Sequence, residues 1–201
     1  TLHEFSTGNL DSRQLAMLGV LTALNALIRM LGAGVAGVET SFFLIIISAY
    51  VVGPGFGFLM GALSLLVSGL VTGGIGPWLP FQMMAAALVG ILAGLLPKPR
   101  LLWLQMALLL GYAVFASFSY GALMTMWNWP FLAGLGSDVS YLPGAGILEN
   151  LIRFVNYEIL TGGLAWDAGR AITTVILLAL TAPALLTTLR RAANRAGIKK
   201  F

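Results

Sequence analysis

Two side chains of opposite charge, Asp167 and Arg170, stand inside a long apolar run near the end of the chain. They are three residues apart, so on a helix they share one face and can form an ion pair. Thr174 continues that face. The pair either neutralises itself as a structural contact or lines a cavity and binds a ligand, and the spacing leaves both interpretations open.

A second polar face lies in the first apolar run, where Thr22, Asn25 and Arg29 follow a three-then-four spacing. Arg29 is close to the end of that run, so its guanidinium either extends to the lipid headgroups or points inward. Polar groups are costly to place in an apolar segment and usually have a partner or a function there. Hydrogen bonding and charge pairing are therefore the chemistry that these residues can supply.

The residue types needed for nucleophilic, metal or phosphate chemistry are missing from the sequence. Cysteine is absent and the one histidine is His3, which excludes a serine–histidine triad and a histidine-based metal site. No glycine-rich phosphate-binding motif occurs either. We therefore expect no enzyme activity, no catalytic cofactor, no bound metal and no ATP hydrolysis by the chain itself.

The elements that must position these side chains are membrane-spanning helices. Of the 201 residues, 59% are hydrophobic and 9% are charged, whereas soluble domains carry about 25% charged residues. The mean hydropathy is +0.94, and apolar runs long enough to cross a bilayer recur along the chain. This pattern predicts an all-α integral membrane protein, a single domain of six transmembrane helices. The predicted spans cover residues 14–32, 40–53, 56–72, 80–97, 101–127 and 164–189.

Charge placement predicts how this bundle is oriented. Cations collect on the side where both termini would lie: Arg13, Lys98, Arg100, Arg190, Arg191, Arg195, Lys199 and Lys200. The opposite side collects acidic residues and one loop arginine: Glu39, Asp138, Glu149, Glu158 and Arg153. Because cytoplasmic loops carry an excess of Lys and Arg, we expect both termini in the cytoplasm. The net charge of +4 is thereby explained without a nucleic-acid partner.

The long connection before the last span has a helical pattern of its own, over residues 147–160. Five apolar residues recur there at helical spacing: Leu148, Leu151, Ile152, Val155 and Ile159. Charged and amide side chains occupy the other positions. The segment is therefore predicted to be an amphipathic helix that lies at the outer membrane interface.

The connection at residues 73–79 is rich in glycine and proline, which shape and stiffen its backbone. Trp78 stands at the rim of the bundle there, and Gln82 opens the fourth span facing inward. The fifth span ends at the same rim with polar and aromatic residues: Tyr120, Trp127 and Asn128. Such a rim favours a site for an organic ligand over an ion pore, which needs charge rings or carbonyl filters.

The ligand-binding candidates are the polar and aromatic residues of this outer end: Arg29, Glu39, Trp78, Gln82, Tyr120, Trp127, Asn128, Asp167 and Arg170. Aromatic rings would stack on a ring system, and the amides of Gln82 and Asn128 would supply hydrogen bonds. Arg29 and Glu39 stand at the two ends of one short loop, and we hypothesise that they pair.

Small residues form a stripe beside the polar face of the first span: Ala16, Gly19, Ala23 and Ala26. Such a stripe lets another helix approach closely in lipid, either within the bundle or from another subunit. The fourth span has a similar pattern, with a small residue at every fourth position: Ala86, Gly90 and Gly94. Close helix packing is predicted there.

Three segments resemble one family of membrane proteins. Residues 53–97, residues 120–131 (YGALMTMWNWPF) and residues 166–191 are similar to the substrate-binding S components of energy-coupling factor (ECF) vitamin transporters. The similarity extends from about residue 14 to residue 191. The element GPWLPFQM, residues 76–83, looks closest to the branch associated with cobalamin.

The resemblance implies a six-helix, non-enzymatic subunit that captures a vitamin, with cobalamin as the best candidate, outside a bacterial cytoplasmic membrane. It would deliver the vitamin inward with a transmembrane scaffold subunit and two ATPase subunits, which alone would use ATP. The family docks to its scaffold through an Ala-x-x-x-Ala signature on the first span. The best match here departs from it, as Gly19-x-x-x-Ala23, so the docking candidates are Ala16, Gly19 and Ala23.

Two other functions stay open from the sequence. One is a self-sufficient secondary transporter, although the chain shows no evident inverted repeat and no pair of interrupted half-helices. The other is a structural membrane protein, in which the polar pairs of the outer end would only satisfy each other.

Overall fold

The computed structural model describes residues 12–32, 37–132 and 138–197, and every regular element in these ranges is helical. The described α-helices are, in chain order, α1 (Ser12–Leu31), α2 (Phe42–Val52), α3 (Pro54–Thr72), α4 (Leu79–Leu95), α5 (Leu102–Met126), α6 (Ile147–Thr161) and α7 (Gly163–Arg195). A short 3₁₀ helix, Trp129–Phe131, follows α5. Three residues discussed above, His3, Lys199 and Lys200, lie outside the described ranges.

All six apolar segments predicted from the sequence are helical, but they differ in length. In the described ranges, α1, α3, α5 and α7 are long and apolar enough to cross a membrane. The α2 and α4 helices are apolar but shorter, with 11 and 17 residues. The α7 helix continues to Arg195, beyond the predicted end at residue 189. The described part of the chain is therefore all-helical, and the protein is a multi-pass membrane protein.

The α2 helix forms the centre of the bundle. Every residue from 41 to 50 is buried, and α2 packs against α3, α4 and α7. At about 1.5 Å per residue an 11-residue helix is roughly 16 Å long, about half of the hydrocarbon layer. Because other helices surround α2, its ends are not exposed to lipid, and it does not need the length of a lipid-exposed transmembrane helix. Hydropathy predicted its position correctly but does not reveal that it is enclosed.

Small residues bring α3 and α4 into close contact along their length. A Cβ atom added to Gly57 would overlap the carbonyl of Gly90, and one added to Gly61 would overlap the carbonyl of Ala86. Gly94 packs in the same way against the first turn of α3. Backbones approach this closely only where side chains are absent or very small. The close packing predicted from the spacing of Ala86, Gly90 and Gly94 is confirmed.

The bundle has two ends, which we name after residues that mark them. Arg13 donates a hydrogen bond to the Arg195 carbonyl at 3.2 Å, so the beginning and end of the described chain meet. That end also contains the loop between α4 and α5, and we call it the Lys98 end. The Trp127 end contains the end of α1, the loop between α3 and α4, and the whole of α6.

The predicted amphipathic helix is α6, and it begins and ends within one residue of the expected bounds. Its apolar stripe is exposed: Leu148, Leu151, Ile152, Val155 and Ile159. The residues that α6 buries are Phe154 and Glu158. Gly162, at φ +78°, ends α6 and lets α7 begin at the next residue. An exposed apolar stripe is what a helix at a membrane interface requires.

Candidate functional site

A buried ion pair stands at the centre of the Trp127 end. Asp167 and Arg170 are 4% and 7% exposed, and Arg170 Nη1 donates a hydrogen bond to Asp167 Oδ1. The same nitrogen donates to the Ser117 carbonyl on α5 at 3.1 Å. The two helices approach closely because Gly121 has no side chain and the Asp167 carboxylate occupies that space. The pairing predicted from the spacing is confirmed, and the pair is sealed against α5.

Aromatic rings cover the guanidinium of Arg170. Its Cζ lies 5.0 Å from the ring centroid of Tyr120 and 5.9 Å from that of Phe42. Both distances allow cation–π attraction. The two rings meet edge to face, with centroids 4.8 Å apart. Arg170 is thus held by a carboxylate, a carbonyl and two rings, while its buried Nε makes no hydrogen bond to the described residues.

A second ion pair joins α1 to the loop that follows it. Arg29 Nε lies 3.7 Å from Glu39 Oε1, and Arg29 Nη1 donates to the Ser68 hydroxyl on α3 at 2.9 Å. Glu39 Oε1 also accepts from the Ser41 hydroxyl at 2.7 Å and from its backbone N–H at 3.2 Å. The Arg29 guanidinium therefore points toward α3 and not away from the bundle. The hypothesised pairing of Arg29 with Glu39 is confirmed.

Tyr120 connects the two ion pairs. Arg170 Cζ lies 5.0 Å from the Tyr120 ring centroid, and the same ring contacts Phe42, which follows Ser41, the residue that donates to Glu39. We call Arg29, Glu39, Tyr120, Asp167 and Arg170 the charged cluster. Four separate parts of the chain supply it: α1, the loop before α2, α5 and α7. The structure therefore brings together five of the nine ligand-binding candidates.

The other four candidates lie at the rim of the same end. Trp127 stacks on Phe81 with ring centroids 5.0 Å apart, and Trp78 is exposed. Gln82 is half-buried and Asn128 is exposed. Among the described residues, no hydrogen bond, ion pair or ring contact joins these four side chains to the charged cluster. The charged cluster and the rim are thus two layers of one end.

Unpartnered polar groups continue from the charged cluster toward the middle of the bundle: Thr22, Asn25, Ser48, Ser64 and Thr174. Both amide atoms of Asn25 are buried without a hydrogen bond to the described residues. Arg29 donates to Ser68, and Asn25 and Ser64 each lie one helical turn before one of these two residues, on helices that run in the same direction. The polar face predicted on the first span is therefore buried and faces α3.

The Lys98 end is built differently. A shallow, open groove of about 400 Å³ at this end has a mainly apolar lining: Pro97, Lys98, Pro99, Leu104 and Leu108. The Tyr50 hydroxyl donates to the Pro97 carbonyl at 3.3 Å, and Gln105 Nε2 donates to the Pro99 carbonyl at 2.6 Å. Arg190 in turn donates to Gln105 Oε1 at 2.7 Å. These polar side chains are satisfied by loop carbonyls and by one another.

The stripe of small residues on α1 lies on the outside of the bundle. Ala16, Gly19 and Ala23 are exposed, and a Cβ atom added to Gly19 would meet no heavy atom within 4 Å. Ala26, the fourth member of the stripe, is buried. The three docking candidates therefore do not pack inside the described bundle, and their surface is open to lipid or to another protein.

Sequence reasoning missed Glu158, which is 4% exposed and whose carboxylate lies against Gly163, one helical turn before Asp167. From the sequence, Glu158 is predicted only to be one of the acidic residues on the side opposite the termini. The available signal was its position four residues after Phe154, which places both on one face of a helix. The role of Ser117 had no such signal, because Arg170 contacts its backbone carbonyl and not its side chain.

Helices of spanning length, an enclosed apolar core and charges buried at one end are the features of a multi-pass membrane protein with a polar site at that end. Residues 13–189 match the family described as ECF transporter, substrate-specific component, and the chain belongs to that family. Its members are transporter components that associate with ECF scaffold and ATPase modules, and they are not enzymes. No curated protein sequence matches the chain significantly, and no solved structure does.

Proposed function

We propose that this protein is the substrate-binding subunit of an ATP-driven ECF importer in a bacterial cytoplasmic membrane. It captures a vitamin at the Trp127 end, on the extracellular side, and delivers it inward with a scaffold subunit and two ATPase subunits. The family match over residues 13–189 carries the proposal, because it includes every residue of the charged cluster. Cobalamin is the proposed vitamin, supported by the resemblance of residues 76–83 to the cobalamin branch.

In the proposed topology six helices cross the membrane, α1 to α5 and α7, and both termini face the cytoplasm. Two observations support this arrangement. The hydrogen bond from Arg13 to the Arg195 carbonyl brings both ends of the described chain to one side. The same side carries Lys98, Arg100 and Arg190, as expected where loops follow the positive-inside rule.

The charged cluster suits the capture of a polar organic ligand. Charges inside a membrane protein are expensive and usually mark a functional site, and here two ion pairs lie at one end of the bundle, with Arg170 against the Tyr120 ring. The stacked rings of Phe81 and Trp127 at the rim offer aromatic surface to a ligand with a ring system. Because Asp167 and Arg170 are buried against α5, the exposed Trp78 and Asn128 at the rim are the residues that a ligand meets first.

Binding by the isolated protein tests this function. The purified chain is titrated calorimetrically with cyanocobalamin, thiamine, riboflavin and nicotinate, and we expect tight binding of cyanocobalamin alone. In cells without their own vitamin importer, uptake should require co-expression of the scaffold and ATPase subunits. Binding of none of the four vitamins contradicts the proposal. Uptake by the protein alone, abolished by an uncoupler, would identify a secondary transporter instead.

Docking to the scaffold is proposed to use the exposed small residues of α1. A larger side chain there keeps a partner helix at a distance, so Gly19→Leu and Ala23→Leu should abolish uptake and leave vitamin binding unchanged. Ala179→Leu, at an exposed position on α7, is the matched control and should affect neither. Normal uptake by both stripe variants would show that the scaffold docks elsewhere.

A further inference from the structure

Glu158 is a buried carboxylate without a partner. It is 4% exposed, and neither Oε1 nor Oε2 makes a hydrogen bond within the described residues. The carboxylates of Glu39, Glu149 and Asp167 each face an arginine, whereas no described salt bridge includes Glu158. Burying an ionised carboxylate is strongly unfavourable unless a hydrogen bond or an opposite charge compensates it.

The Glu158 side chain tucks under the turn that joins α6 to α7. A Cβ atom added to Gly163 would overlap Glu158 Oε2, so the absence of a side chain there makes room for the carboxylate. The carboxylate lies at the first turn of α7, where the helix dipole favours a negative charge by about 0.3–1 kcal/mol. No backbone N–H of that turn donates to it. The dipole therefore lessens the cost of burial without satisfying either oxygen.

Glu158 also leaves the Trp127 end with an excess of negative charge. Within the charged cluster, Arg29 offsets Glu39 and Arg170 offsets Asp167. Glu158 Oε2 lies against Gly163, one helical turn before Asp167 on α7, so the two carboxylates stand on neighbouring turns and repel each other when both are ionised. Its own buried face is shared with Phe154, which cannot form a hydrogen bond to it. The Glu158 carboxylate is thus a hydrogen-bond acceptor beside the charged cluster, and none of the described residues donates to either of its oxygens.

We propose that Glu158 belongs to the ligand site and accepts hydrogen bonds from an N–H group of the bound vitamin. This inference rests on the proposed function and narrows its substrate class to vitamins that present nitrogen donors on the α6 side. A ligand carboxylate at that position is disfavoured, because Glu158 in its ionised form repels it and no described arginine offsets the charge of Glu158. Cobalamin meets this requirement, since the periphery of its ring carries side-chain amides.

The first test compares cyanocobalamin with its monocarboxylic acids, in which one side-chain amide is replaced by a carboxylate. The detergent-solubilised full chain should bind at least one of these acids about 10- to 100-fold more weakly than cyanocobalamin, the loss typical of one charge-assisted hydrogen bond. Glu158→Gln should bind cyanocobalamin about 10-fold more weakly and discriminate less against that acid. The matched control is Glu149→Gln, an exposed position on the same helix, which should bind as the natural chain does.

A second readout separates a ligand contact from a structural role. Without vitamin, Glu158→Gln should raise the melting temperature, because the substitution removes an uncompensated buried charge. Its affinity should fall at the same time. A fall in both melting temperature and affinity would mark Glu158 as a structural residue and overturn the inference.

The failure of this inference can be told from failure of the proposed function. Unchanged affinity and unchanged discrimination in Glu158→Gln, with tight binding of cyanocobalamin by the natural chain, overturn the inference alone. Absence of binding to cyanocobalamin, thiamine, riboflavin and nicotinate overturns the proposed function and the inference together. If thiamine or riboflavin binds instead, Glu158→Gln must weaken that binding, since both carry nitrogen donors or a cationic nitrogen. Tight binding of nicotinate, unaffected by Glu158→Gln, overturns the inference.

Discussion

At the Lys98 end, Gln105 donates to the Pro99 carbonyl and accepts from Arg190, so both ends of its amide are used. At the Trp127 end, Arg170 keeps a buried Nε without a hydrogen bond, and Glu158 keeps two free oxygens. Both ends bury polar groups inside an apolar bundle. The polar side chains named at the Lys98 end have their hydrogen bonds satisfied by nearby carbonyls and side chains, whereas those named at the Trp127 end do not.

This difference separates polar groups that hold the fold from polar groups that have capacity left for a ligand. Buried donors and acceptors in folded proteins are nearly always paired, and an unpaired one calls for a specific explanation. At the Trp127 end of the described chain, Arg170 Nε and both Glu158 oxygens are unpaired, and the unpaired amide of Asn25 lies one helical turn before Arg29 on α1. We infer that the Lys98 end is structural and that the Trp127 end is completed by what it binds.

The largest effect is expected for Arg170→Met, compared with Arg190→Met at the other end. Removing Arg170 leaves Asp167 buried and unpaired, which should lower the free energy of unfolding by about 3–5 kcal/mol. Removing Arg190 costs Gln105 one hydrogen bond, about 1–2 kcal/mol. Unfolding by SDS in mixed micelles measures both. Equal losses would show that the two ends do not differ in how they bury charge.

Two glycines on α5 provide a matched pair for the second prediction. A Cβ atom at Gly121 would overlap the Asp167 carboxylate, so Gly121→Ala should displace the ion pair and cost about 1–3 kcal/mol. Gly111 is exposed and has open space around it, so Gly111→Ala should stabilise the helix by up to about 1 kcal/mol. The same micelle unfolding experiment applies. Opposite signs are expected, and a loss of equal size in both variants would contradict the close approach at Asp167.

The third prediction concerns the ion pair between Arg29 and Glu39. Reversing either charge alone places like charges together, whereas Arg29→Glu combined with Glu39→Arg restores attraction. We expect the double variant to be more stable than the sum of the two single losses by about 1 kcal/mol. Full recovery is not expected, because Ser41 and Ser68 lose the partners that they have in the natural chain. Strict additivity of the two losses would show that the pair contributes nothing.

The features that the sequence predicted correctly are those with local causes. Asp167 and Arg170 meet because residues three apart share a helix face, and α6 was recognised from its apolar spacing. The close contact of α3 with α4 followed from small residues at every fourth position. In each case a spacing of three or four residues carries the information.

The features that were missed depend on how one element packs on another. The enclosure of α2 depends on its neighbours, and hydropathy measures only the side chains of α2 itself. Glu158 is buried because its carboxylate lies against Gly163 where α6 meets α7, whereas its spacing from Phe154 indicates only that the two share a helix face and not what covers that face. The sealing of Arg170 depends on the backbone carbonyl of Ser117, which any residue type would supply. Such contacts become visible only when the helices are assembled.

The smallest effect on stability is expected for a substitution of Lys98, at the end where the other named polar side chains have hydrogen-bond partners. The side chain is largely exposed, yet partial burial of the ammonium and the nearby charge of Arg190 lower the pKa of Lys98 below its usual value of 10.5. The folded protein therefore binds this proton less tightly than the unfolded chain does. Stability is reduced while Lys98 is charged, and it recovers as pH rises through the folded pKa toward 10.5.

Replacing Lys98 by glutamine removes this effect. We expect Lys98→Gln to melt slightly above the natural chain at pH 7 and the difference to shrink as pH approaches 10.5. Arg100→Gln, an exposed cation in the same loop, is the control and should show a difference that does not change with pH. A constant difference for Lys98→Gln over the same range would mean that Lys98 is fully solvated. Repulsion between Arg190 and Lys98 would then not reduce the stability of the fold. The Lys98 end would contain no cation whose charge is destabilising.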